Sequence, residues 1–184
     1  GCALAVHAQT TTAAAGPSRI AVIQFQLAVS QTNEFQRDFA DLQKKYDPKR
    51  AALGALNTQI ETLTKQLQAQ AATLSASEQQ SRAQTIDDKK RQAQQMQQDD
   101  QSDYQADMQE MVNTVAQKVG GVLTAYARAR GYSVVLDASE QQSQAPIVLY
   151  ANSSVDITKA VIEAYNVKSG IPAPPPSAPA PAAR

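Results

Sequence analysis

Tryptophan is absent, and only 5% of the 184 residues are aromatic. A chain with so few large rings cannot fill a broad globular core, so its mass belongs in long helices. The single cysteine, Cys2, and the single histidine, His7, both fall among the first residues. That removes disulfides, Cys/His zinc sites and histidine-based triads together. An excess of one charge is missing too, because 17 Lys and Arg balance 17 Asp and Glu. No basic run is interleaved with aromatics, so nucleic acid is set aside as a partner. No apolar run approaches the about 18 residues of a membrane span, and the balanced charge gives no support to contact with a membrane surface. A Gly-rich phosphate loop is lacking. The carboxylates Asp99, Asp100, Asp103 and Asp107 read as the solvated face of a helix rather than a metal site, since no histidine or constraining loop accompanies them. No catalytic constellation, metal or cofactor is expected.

What is present is a long apolar seam. Phe35, Phe39, Leu42, Tyr46, Lys49, Leu53, Leu56, Ile60, Leu63, Leu67, Gln70 and Leu74 follow one another in alternating steps of four and three. Only Lys49 and Gln70 break the apolar character, so the stretch has the 3.5-residue period of a coiled coil and needs a partner helix. Asp47-Pro48 interrupts it without disturbing the phase. Asp as a cap and Pro as first residue restart a helix well, which predicts a bend or a re-capped joint there. The apolar pattern stops near Leu74, where Ser75 and Glu78 fit a capping box. From Ala76 to Arg130 no proline occurs. A helix over that stretch is about 80 Å long, and the two arms most simply form one antiparallel helical hairpin over about residues 30–130.

The returning arm is uneven. Tyr104, Met108, Met111, Val115, Val119, Val122 and Tyr126 make an apolar stripe near its end, whereas Ile86, Ala93 and Met96 stand nearly alone in a polar, Gln-rich middle. The hairpin is therefore expected to be firm at its base and flexible toward its tip. Gly120-Gly121 costs about 1 kcal/mol per residue in helix propensity, which predicts a close backbone approach or a local bend. Met96, Tyr104, Met108 and Met111 are candidates for an adaptable binding surface, because methionine repacks against varied partners.

Both ends of the hairpin carry strand-like segments. Ile20 to Gln24, Tyr132 to Asp137 and Ile147 to Tyr150 are short, apolar and β-branched, the last two reading as a β-hairpin with the first beside it. Asp156 caps a final helix to about Tyr165, and Arg128, Arg130 and Gly131 suit the end of the long one. The fold class is thus α+β, mostly α. Residues 19–29 and 131–168 form a small β body around Ile20, Val22, Ile23, Val134, Val135, Leu136, Ile147, Val148 and Leu149. Three short strands and one short helix bury too little to stand alone, so the body is expected to be an oligomer. Residues 169–184 read as a disordered Pro-rich tail. In residues 1–18, Val6 and Ala8 suit a secretory cleavage site ahead of a flexible N-terminus; acylation of Cys2 is the alternative, and either implies export.

The order strand, long helical hairpin, strands, final helix resembles the Skp (OmpH-like) family of periplasmic chaperones. The residues that carry the resemblance are Arg19-Ile-Ala-Val-Ile-Gln, Glu34-Phe-Gln-Arg-Asp-Phe, Asp47-Pro-Lys-Arg, Gly131-Tyr-Ser-Val-Val-Leu-Asp-Ala and Val155-Asp-Ile-Thr-Lys-Ala-Val-Ile. It implies a homotrimer in which strands from three chains build the body and three tentacles enclose a cavity. There, unfolded outer-membrane barrel proteins would be held without ATP. Members that bind lipopolysaccharide or anionic membranes are strongly basic, whereas this chain is neutral, so that property is not carried over. A coiled-coil stalk of the cell envelope is the alternative.

Overall fold

The computed structural model describes residues 18–139 and 146–175. The expected leader and most of the Pro-rich tail lie outside them. Elements follow in the order β1 (Arg19–Ile23), α1 (Phe25–Ser30), α2 (Asn33–Gln70), α3 (Ala76–Ala129), β2 (Tyr132–Asp137), a 3₁₀ turn (Ser153–Val155) and α4 (Thr158–Ser169). The helical hairpin, the strands β1 and β2 and the C-terminal helix are those the sequence pattern predicts. The short helix α1 is not; Leu27 and Val29 lie in it.

Local chemistry places the ends of the long helices. Thr32 caps α2, its hydroxyl accepting from the Phe35 N–H at 3.2 Å. The arms reverse over 71–74, and Ser75 and Glu78 then make the full capping box, each side chain bonded to the other residue's backbone N–H. At the far end of α3 Gly131 adopts φ +71°, a left-handed conformation that suits glycine and stops the helix. Arg19 reaches across from β1, donating to the Arg130 carbonyl at 2.5 Å while its guanidinium lies 4.8 Å from the Tyr132 ring centre.

Two expectations are narrowed here and a third is corrected. First, α2 runs through Pro48 as one helix, with no re-capped joint at Asp47. Proline removes only one N–H from the ladder, and the Arg50 guanidinium braces that turn, donating to the Gln43 carbonyl at 3.2 Å and to Asp47 Oδ1 at 2.5 Å. Second, a Cβ built on Gly120 or Gly121 would meet nothing within 4 Å, so no close backbone approach within the chain explains the pair. Third, residues 147–150 form no strand. The sheet has two strands, β1 and β2, paired in parallel with Ile20 opposite Val134 and Val22 opposite Leu136. A parallel pair needs a long crossover, and the entire hairpin supplies it. The other edge of β1 is occupied by the residues before α4, where the Ile157 N–H donates to the Val22 carbonyl at 2.9 Å. The outer edge of β2 stays open among the described residues, and Ile147 and Leu149, paired with neither strand, are 78% and 87% exposed.

The core sits where the hairpin meets the body. Ala21 and Ile23 of β1 pack with Ala28 and Val29 of α1, Val115, Val119 and Val122 of α3, and Ile157, Val161 and Tyr165. Burying a valine or isoleucine fully is worth about 1.5–3 kcal/mol, so this small cluster anchors the base of a tentacle whose far end has no comparable core. Among the described residues no helix is long and apolar enough to cross a membrane.

Candidate functional site

The hairpin itself is the candidate site, and its character changes along its length. At the root, where α2, α3 and α4 converge, Glu34 is only 8% exposed. Its carboxylate accepts from Lys118 Nζ at 2.5 Å and from the Tyr165 hydroxyl. Burial pushes the Glu34 carboxyl up, but these two donors outweigh it and leave it below the usual carboxylate range. The same burial and the adjoining carboxylate hold the Tyr165 hydroxyl well above an ordinary phenol, hence neutral. Asn33 completes the joint, its N–H donating to Asn166 Oδ1 at 3.0 Å and its side-chain amide to the Ile171 carbonyl at 2.8 Å. One tentacle helix is thereby tied to the end of α4.

Farther out along the hairpin, a second polar set joins the arms. Lys49, the charged residue in the apolar seam, bonds Asp100 at 2.9 Å and Asp103 at 3.0 Å, and both raise its pKa. Asp107 accepts from Lys45 and from the Tyr46 hydroxyl, each at 2.6 Å. Burial, then the bond to Asp107, pushes the Tyr46 hydroxyl up to about 12. Asp100, Asp103 and Asp107 are therefore cross-arm partners and not the solvated face the sequence implies. The pattern alone gave no sign of this, since Lys49 and its partners lie more than fifty residues apart.

The candidate binding residues separate on this frame. Tyr104 stands edge-on to Tyr46, ring centres 5.2 Å apart, and its hydroxyl accepts from Gln43 at 2.8 Å. It belongs to the packing between the arms. Met96, Met108 and Met111 are half-buried. Met111 lines a groove of about 410 Å³ between the arms, together with Leu42 and several carboxylates. Along the seam, Leu42, Tyr46 and Leu56 are buried and Leu53, Ile60, Leu63, Leu67 and Leu74 half-buried, while Phe39 is 38% exposed beside a parallel-stacked Phe35. Of the body residues, Val22 and Ile23 are buried and Val135 and Val148 half-buried, whereas Ile20, Val134 and Leu136 form an exposed apolar sheet face. Glu34, Lys118 and Tyr165 escape sequence reasoning altogether, because contacts across 84 and 131 residues leave no local signal.

With this geometry in place, comparison with known proteins is informative. The sequence matches the outer membrane protein (OmpH-like) family over residues 19–165. The fold is similar to a solved structure from Caulobacter crescentus, provisionally described as an outer membrane chaperone (OmpH-like), with a TM-score of 0.70 and 23% identity over 84% of this chain and 87% of that one. At that identity the likeness is one of fold. No curated protein matches the sequence significantly.

Proposed function

The chain belongs to the OmpH-like family, and from that premise we propose that it is an ATP-independent holding chaperone of the periplasm, which encloses unfolded outer-membrane barrel proteins between the tentacles of a homotrimer. The family's fold is that of a holding chaperone and not of an enzyme. The observation that carries the proposal is the extent of the match, which takes in β1 and most of α4 as well as the whole hairpin. A generic coiled coil would match over the helices alone.

The surface left uncovered supports the trimer. Ile20, Val134 and Leu136 make an apolar sheet face open to water, and Ile147, Leu149 and Tyr150 stand exposed beyond it. A contiguous apolar surface of this kind marks an interface. In the proposed trimer, copies cover one another's sheets, and Ile147, Val148 and Leu149, which pair with no strand among the described residues, find a partner in a neighbour.

Holding then follows from weak contacts in number. Beyond Asp100 the apolar side chains of α3 are sparse: Ile86 and Ala93 are buried, and Met96 is half-buried in an otherwise polar surface. Such a surface gives an unfolded chain many poor contacts, which retain it while it is unfolded and release it once it folds. Preferential binding of the unfolded state suppresses aggregation by mass action and requires no nucleotide. The test is to dilute a urea-unfolded barrel protein into nucleotide-free buffer with the full-length chain and follow light scattering. Scattering should fall to baseline once three chains are present per client; unchanged scattering at any ratio would move the reading to a structural stalk.

A further inference from the structure

The tentacle's surface is not neutral along its length, although the chain as a whole is. Just above the root, the groove between α2 and α3 has an apolar lining of Leu42 and Met111. Around it stand Asp38, Asp41, Asp107 and Glu110, against a single cation, Lys45. That lysine is already engaged by Asp107 at 2.6 Å. Asp41 has only a distant, exposed partner, Lys44 at 3.6 Å. Among the described residues Asp38 and Glu110 have no ion-pair partner within 4 Å. Burial, Glu34 and Asp41 raise the Asp38 carboxyl, and the nearby cations Lys118 and Arg37 only partly offset them. Phe39, 38% exposed, follows Asp38 on α2 and extends the apolar character of this stretch.

We propose that this groove binds an arginine or lysine side chain of an unfolded client, its aliphatic stem on Leu42 and Met111 and its charged head among Asp38, Asp41 and Glu110. The proposal rests on the holding role above and names the client chemistry that the tentacle root selects: segments in which basic residues alternate with apolar ones. Long basic side chains suit such a place because they lay an apolar stem on apolar surface while the head stays in the polar rim. The groove, at about 410 Å³, is sized for one side chain rather than a folded element. Charge complementarity decides the occupant. An acidic or purely apolar segment leaves the rim unpaired, and a second copy of this chain is distinguished by the crosslinking test below.

The test uses the full-length protein and two short labelled peptides of one sequence, the first with arginines between valines and the second with glutamates in their place. At low salt the arginine peptide should bind about tenfold more tightly, the size that two or three exposed charge pairings give, and the advantage should shrink as salt rises. The double variant Asp38→Asn, Glu110→Gln should bring the two peptides within about threefold of each other. Neither residue makes an ion pair among the described residues, so the variant should keep its fold, which circular dichroism checks. Equal binding of both peptides by the unchanged protein overturns the groove assignment while leaving the holding role intact. Arginine preference in a protein that fails to hold barrels does the reverse. A photo-crosslinker at Met111 that captures another copy of the chain in place of the arginine peptide makes the groove a subunit interface and also overturns the proposal.

Discussion

Replacing Tyr165 by Phe removes one oxygen from the root of the tentacle and leaves the ring in place. That oxygen is buried and donates to Glu34, itself only 8% exposed. The ring keeps its contacts, so no cavity term enters. What is lost is a hydrogen bond to an ionised group, worth about 1.5–3 kcal/mol. Lys118 remains on the carboxylate at 2.5 Å, but its side chain is 51% exposed, and a pair so open to water adds only about 0–1 kcal/mol. Tyr165→Phe is therefore expected to cost about 2 kcal/mol. Urea unfolding followed by circular dichroism measures it, with protein concentration held fixed because an oligomer's stability depends on it. Glu34→Gln removes part of the same interaction, so the two substitutions together should cost about 1 kcal/mol or more less than their sum. A Tyr165→Phe midpoint equal to that of the unchanged protein, or strict additivity with Glu34→Gln, would show that the root is not held by this cluster.

Other consequences follow from the same geometry. Because the Glu34 carboxyl is lowered on folding, its contribution is present above the ordinary carboxylate value of 4.5 and lost as pH falls through its folded value. Tyr165→Phe removes one of the donors that lower it, so acid unfolding, followed by circular dichroism, should begin at higher pH in that variant. Ser75→Ala breaks the capping box and should cost the α3 terminus about 1 kcal/mol, read as faster amide exchange over residues 76–80 with the root unchanged. Lys49→Met restores the apolar seam but removes the bonds to Asp100 and Asp103, so the hairpin should persist, and its thermal stability should become less sensitive to salt; Lys49→Glu, facing both carboxylates, should open the arms there. Amide exchange should rise from Val119 toward the turn at 71–74, and uniform protection along α3 would contradict a tentacle anchored only at its root.

The parts legible in the sequence are those specified by near neighbours. The seam from Phe35 to Leu74 shows itself by period, and Ser75 with Glu78 by the three-residue spacing of a capping box, so the hairpin and its turning point could be placed without coordinates. Pairings across long loops could not. The parallel register of β1 with β2 depends on where a hundred-residue excursion returns, and the apolar run Ile147–Tyr150 reads as a third strand although it pairs with neither β1 nor β2. Lys49 illustrates a subtler limit. The sequence exposes it as the flaw in the seam, but the two aspartates that explain it lie on the opposite arm, where they look like ordinary solvated residues.

The central claim is that three copies of this chain enclose one unfolded barrel protein. The most direct measurement is native mass spectrometry of the soluble species formed when a urea-unfolded outer-membrane barrel is diluted into the full-length protein. A discrete complex with the mass of three chains and one client is the expected result. A free oligomer beside precipitated client would contradict the account.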